Sequence, residues 1–144
     1  MDLDEYQTTF LFYAPAKEPD GWRLDLASFA VALDAEFPEV RYEIRQGRQL
    51  RLSFWVVTED GTEFTGFASN EGRDGVLLTD NTADEAAVFI AWLRDSYLPS
   101  PDLIRFSSEP AVLAGIETDW RVPATGDVTR IAEELRHHVQ VVEG

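Results

Sequence analysis

Cysteine is absent from the 144 residues, which excludes disulfides, thiolate metal sites and cysteine nucleophiles together. Histidine is nearly absent. The only two, His137 and His138, are adjacent, so on a helix they point about 100° apart and do not share a metal as an i, i+4 pair would. Both read as surface or helix-terminus residues, where positive charge suits the end of a helix. A serine nucleophile accordingly lacks its base. Lysine occurs once, at Lys17, and no apolar run reaches the roughly 18 residues that span a bilayer. The Gly-x-Ser-x-Gly elbow, the His-Glu-x-x-His pair, the Walker A loop and the Gly-x-Gly-x-x-Gly turn are also missing, so no catalytic residue, metal or cofactor is expected.

What is present in excess is acid: 27 Asp and Glu against 12 basic residues, a formal charge of -15. Such a field repels nucleic acid and anionic membranes; it attracts a basic partner, or it only keeps the protein soluble. A host with generally acidic, lysine-poor proteins would give the same balance. The opening Met1-Asp2-Leu3-Asp4-Glu5 is acidic where an export signal carries positive charge, so a cytoplasmic protein is expected. The acidity is uneven. Residues 1 to 40 carry nine acidic and two basic groups, whereas residues 41 to 60 carry four arginines and three acids.

No repeat or linker divides the chain, and residues 1 to 144 read as one α+β domain. Thr8 to Tyr13 is a first strand, stopped by Ala14-Pro15. Leu26, Phe29, Ala30, Leu33 and Phe37 then line one face of a helix that Asp25 caps and Pro38 ends. Val40, Tyr42 and Ile44 alternate with charged residues, and Leu50, Leu52, Phe54 and Val56 repeat the pattern after Gln46-Gly47-Arg48-Gln49. Matching the two apolar faces leaves a loop at Gly47 to Gln49 and sets Arg45 opposite Arg51 and Arg41 opposite Trp55. A turn at Asp60-Gly61 leads to a third strand through Thr62 to Ser69, completing an antiparallel meander.

A short strand is expected at Val76 to Thr79. Thr82 and Glu85 form a capping box that opens a helix lined by Ala86, Phe89, Ile90, Leu93 and Tyr97 and widened by Val88 and Trp92. Leu103 to Phe106 and Val112 to Val122 are expected strands, and Val128, Ile131, Ala132, Leu135 and Val139 a last helix capped by Thr125 or Asp127. The fold expected is a two-layer α+β sandwich: a mostly antiparallel sheet, built on the central meander with flanking strands, and about three helices on one face. Asn70 to Gly75 has a calcium-loop flavour, but Gly72 stands where an oxygen ligand is required and Asn81 where a bidentate Glu is.

The hairpin register gathers Arg41, Arg45, Arg51 and Trp55 on the sheet face opposite Leu52 and Phe54, with Arg41 able to lie over Trp55. Two arginines directly opposite one another repel unless something anionic sits between them, so these four are the candidate partner-binding residues. The competing reading has Glu43 and its neighbours neutralise the arginines and a helix or loop cover Trp55 and Val57.

From Thr82 onward, the run Asp84-Glu85-Ala86-Ala87-Val88-Phe89-Ile90-Ala91-Trp92-Leu93-Arg94, then Pro99, the strand at Ile104-Arg105-Phe106 and the Thr129 helix are similar to the C-terminal half of small α+β immunity proteins encoded beside bacterial polymorphic toxins. The resemblance implies a cytoplasmic protein that occludes a cognate, often basic, toxin; it carries over no functional residue. A non-enzymatic interaction domain is therefore expected. The alternatives are a small-molecule-binding or enzymatic domain with Trp22, Trp55 or Trp120 as pocket walls, and a self-associating structural subunit, with a homodimer as its simplest form.

Overall fold

The structure, a computed structural model, describes residues 5–45, 51–116 and 120–143. Six strands, β1 (Thr8–Tyr13), β2 (Glu39–Arg45), β3 (Arg51–Val57), β4 (Glu63–Ser69), β5 (Gly75–Asn81) and β6 (Arg105–Ser108), form one antiparallel sheet in the order β2-β3-β4-β5-β1-β6. The helices are α1 (Leu26–Glu36), α2 (Ala83–Trp92), α3 (Glu109–Leu113) and α4 (Val128–Glu143). The two-layer α+β sandwich expected from the sequence is the fold observed. No helix among the described residues is long and apolar enough to cross a membrane.

Local chemistry sets the element boundaries. Asp25 caps α1 by accepting from the Ala27 N–H at 3.0 Å, and at α2 the capping box closes both ways, Thr82 with the Glu85 N–H and Glu85 with the Thr82 N–H. Asp127 is the cap of α4, accepting from the Arg130 N–H. A single π-turn, Leu93–Tyr97, follows α2 and closes on a bond from the Leu98 N–H to the Leu93 carbonyl. The β2–β3 register pairs Arg45 with Arg51 and Arg41 with Trp55, as the apolar alternation requires. The loop expected at Gly47 to Gln49 lies outside the described residues.

Three expectations are corrected. The strand expected from Val112 to Val122 is not formed by its described residues: Pro110 in the first turn sets up α3, and among the described residues that follow only Arg121 regains the sheet, as a single bridge to Arg105. Val88 does not widen the buried face of α2 but is exposed, because the face is already filled by Ala86, Phe89 and Ile90. The third concerns histidine. His137 is exposed, but His138 is wholly buried, since it falls on the face of α4 that carries Ile131, Leu135 and Val139.

Alternation puts Leu52, Phe54, Val56, Phe64, Val76, Leu78, Phe10, Phe12 and Phe106 on the inner sheet face, where they form one continuous core with Phe29, Leu33, Phe89, Ile90 and Leu135 from the helices. Phe89 stacks between Phe54 and Phe37, with ring centroids 5.6 and 5.9 Å away. Trp22 is in this core and donates its Nε1–H to the Leu103 carbonyl at 2.7 Å, so it walls no pocket.

Candidate functional site

The helices cover one face of the sheet only. The other face carries the alternate residues of every strand, and the ladder fixes them in rows. One row runs Arg45, Arg51, Ser69, Gly75, Tyr13, Arg105; the next runs Glu43, Ser53, Phe67, Leu77, Leu11, Ser107; the third begins Arg41, Trp55, Thr65, Thr79. Trp55, Phe67, Leu77, Leu11 and Tyr13 are half-buried against one another, and no described helix lies over them. Of the covering helix or loop expected in the competing reading, no helix among the described residues lies over Trp55.

All four candidate residues reach this face together. Arg41 lies over the Trp55 ring with its guanidinium carbon 5.2 Å from the centroid. Arg51 turns to the Phe67 ring at 4.8 Å, while Arg45 bonds Glu43 two residues away at 3.3 Å. The like charges of the Arg45 and Arg51 pair are parted in this way, each drawn to a different neighbour. Among the described residues neither Arg41 nor Arg51 pairs with a carboxylate. Their planar N–H edges remain available to an oxyanion, because a stacked guanidinium spends its face and not its edge.

Sequence reasoning missed the other half of the site. Arg73, from the β4–β5 loop, places its guanidinium 4.3 Å from the Tyr13 ring and donates Nε–H to the Ala14 carbonyl. Arg105 joins the same row from β6. Gly75, lacking a side chain between Ser69 and Tyr13, leaves a depression of ≈ 270 Å³ bordered by Arg51, Phe67, Leu77, Leu11 and Tyr13. The signal in the sequence was Leu11 and Tyr13 out of phase with Phe10 and Phe12: a strand apolar on both faces needs something on both faces. Among the described residues the face carries Arg41, Arg45, Arg51, Arg73, Arg105 and, bridged to Arg105, Arg121, against Glu39, Glu43 and Glu63 on its strands, in a chain whose net charge is -15.

Several polar groups elsewhere are bonded within the fold. The 70–75 loop is used internally, Asn70 donating to the Leu24 carbonyl and Asp74 accepting from the Leu24 N–H. Burial raises the Asp74 pKa. Trp120 packs edge-on to the His138 ring, centroids 4.8 Å apart. The Ser108 hydroxyl meets His138 Nε2 at 2.8 Å, a contact that no local spacing announces. No solvent reaches the pair, and Nδ1 meets no acid that would orient the ring as a general base.

No family model matches this chain, no curated protein matches it, and no solved structure matches its fold.

Proposed function

We propose that the protein is a non-enzymatic interaction domain that docks a protein partner on its open sheet face. One observation carries the reading: three cation–π pairs, Arg41–Trp55, Arg51–Phe67 and Arg73–Tyr13, stand around an uncovered apolar strip. Tryptophan, tyrosine and arginine are the side chains that most often anchor interfaces, and stacking holds the guanidiniums in place before a partner arrives. The partner chemistry that fits is a surface offering carboxylates beside apolar side chains. Nucleic acid fits less well, because the phosphate backbone would meet the field of a chain of net charge -15.

Toxin neutralisation is the sharper form of this reading. A toxin occluded by this chain would set its acidic groups among the arginines, and its basic groups against Glu39, Glu63 and the acidic surface beyond the sheet. Opposed charge at both places supplies rate and register, while the aromatic strip supplies residence time.

Affinity capture with the purified chain as bait tests the reading, run beside Trp55→Ala and Arg51→Glu baits whose folding is checked by thermal unfolding. A stoichiometric protein retained by the wild type and lost with both variants is the expected result. A partner held equally by all three baits, or a retained nucleic acid or small molecule in its place, overturns it.

A further inference from the structure

The two edges of the sheet are treated differently. At the β6 edge the chain folds back on itself: the Phe106 N–H bonds the Trp120 carbonyl at 3.0 Å and the Val122 N–H bonds the Ile104 carbonyl at 3.1 Å. At the β2 edge, no described residue pairs with the outer side of Glu39–Arg45. An open edge of seven residues is a template for another strand unless its side chains forbid pairing.

The β2 side chains do not forbid it; they select a partner. Tyr42 and Ile44 point to the helix side of the sheet yet stay 48% and 40% exposed, since the helical layer stops short of this edge. On the open face the charges alternate Glu39, Arg41, Glu43, Arg45; Arg45 reaches Glu43 along the strand in an exposed pair, and none meets an opposite charge on β3, where the facing residues are Val57, Trp55, Ser53 and Arg51. Charged side chains commonly protect an edge, and a row of one sign would repel any incoming copy. Here the order of signs is self-complementary. Place a second β2 antiparallel to the first with Tyr42 on the two-fold axis, and Arg41 faces Glu43 of the second copy, Glu39 faces Arg45, and Val40 faces Ile44. Each pair occurs twice by symmetry. Shifting the axis to Glu43 or to Arg41 sets like charges opposite one another, and shifting it to Ile44 carries the pairing off the end of the strand.

We infer that the β2 edge joins a second copy of this chain, in the antiparallel register centred on Tyr42, to make one twelve-stranded sheet from two six-stranded ones. The two-fold axis is perpendicular to the sheet, so both open faces lie on the same side and the two Arg41–Trp55 pairs approach each other across the joint. The long-range repulsion between two acidic chains is screened within about 8 Å at physiological ionic strength, while the pairs in the joint act in contact.

The oligomeric state at physiological salt, by sedimentation equilibrium, tests this, with circular dichroism to confirm that every variant is folded. The wild type is a dimer. Arg41→Glu and Glu43→Arg each set like charges in two symmetry-related pairs and weaken the dimer on the order of tenfold or more. Mixed in equal amounts, these two variants restore opposite charges at both positions and form a heterodimer. Because the chain has no cysteine, Tyr42→Cys gives a second measurement. Directly opposite residues of an antiparallel pair bring their Cα atoms within roughly 4.5–5.5 Å, inside disulfide range. Mild oxidation links Tyr42→Cys into a covalent dimer but leaves Val31→Cys, exposed on α1, a monomer. A wild type that stays monomeric at every concentration, a dimer that survives both single variants, or a mixture that fails to associate overturns the inference.

Discussion

Ser108 and His138 share a hydrogen bond of 2.8 Å between the end of β6 and the middle of α4, and both residues are buried. The Phe106 and Trp120 rings meet the imidazole edge-on, at 5.0 and 4.8 Å between centroids. The proton belongs on Nε2, facing the serine oxygen, because this leaves Nδ1 as a bare acceptor in place of a buried N–H without a partner. A positive charge has no compensation in that setting. Desolvation, with a smaller contribution from neighbouring His137, lowers the His138 pKa from 6.5 to about 4.

Stability should therefore fall as the medium is acidified. The depressed folded-state value means that the unfolded chain binds the extra proton between pH 6.5 and about 4. The stabilisation is complete above 6.5 and is lost as pH drops through 4, amounting to about 3 kcal/mol. Urea unfolding across this window should show the slope in the wild type and a shallower one in His138→Gln, after the common carboxylate background is subtracted. Equal slopes would rule out His138 as the source.

Much of this architecture could be read from the sequence wherever the deciding forces are local. Asp25, and Thr82 with Glu85, announce helix starts because a cap is made within four residues. The β2–β3 register follows from alternation because a slip of one residue would turn Leu52 and Phe54 to solvent. The insertion of β1 between β5 and β6 was not legible, since strand order depends on contacts far apart in sequence. For that reason only the hairpin half of the arginine face was found, and Phe67, Leu77, Tyr13 and Arg73 were not. His138 was misread as a surface residue because polar type was weighed above its place in the spacing of Ile131, Leu135 and Val139.

Arg94 should be among the least replaceable residues of the fold. It is buried in the π-turn after α2, donates to the Pro123 and Gly126 carbonyls at 2.8 and 2.7 Å, and pairs with Asp95. This one side chain ties the segment before α4 to the end of α2. Arg94→Met keeps the volume but strands two carbonyls, and should cost about 3 kcal/mol. Arg94→Lys should recover less than half, since one ammonium cannot match the spread of the guanidinium fork. Thermal unfolding of both variants decides it.

Gly66 presents a steric case. A Cβ there would lie 1.9 Å from the Leu77 carbonyl oxygen and 3.1 Å from the Phe54 ring, and neither can retreat without breaking the β4–β5 ladder or the core. Gly66→Ala should lose about 3 kcal/mol or fail to fold. Gly61→Ala, in open space at φ +90°, should lose only about 1 kcal/mol through backbone strain. If the ranking is reversed, β4 is not held against β5 as closely as these distances require.

Leu77 and Leu78 are neighbours on β5 and face opposite ways, so the pair separates what the fold requires from what the open face offers. Leu78 is fully buried, and Leu78→Thr should cost about 3 kcal/mol or more by opening a cavity and burying a hydroxyl. Leu77 lies between Phe67 and Leu11 on the uncovered side, and Leu77→Thr should cost about 1 kcal/mol, the scale of two cross-strand contacts. Urea denaturation measures both. A small loss at Leu77 means that its apolar side chain contributes little to folding. That outcome would agree with the docking role proposed for this face, whereas a loss at Leu77 as large as that at Leu78 would make the strip part of the folding core.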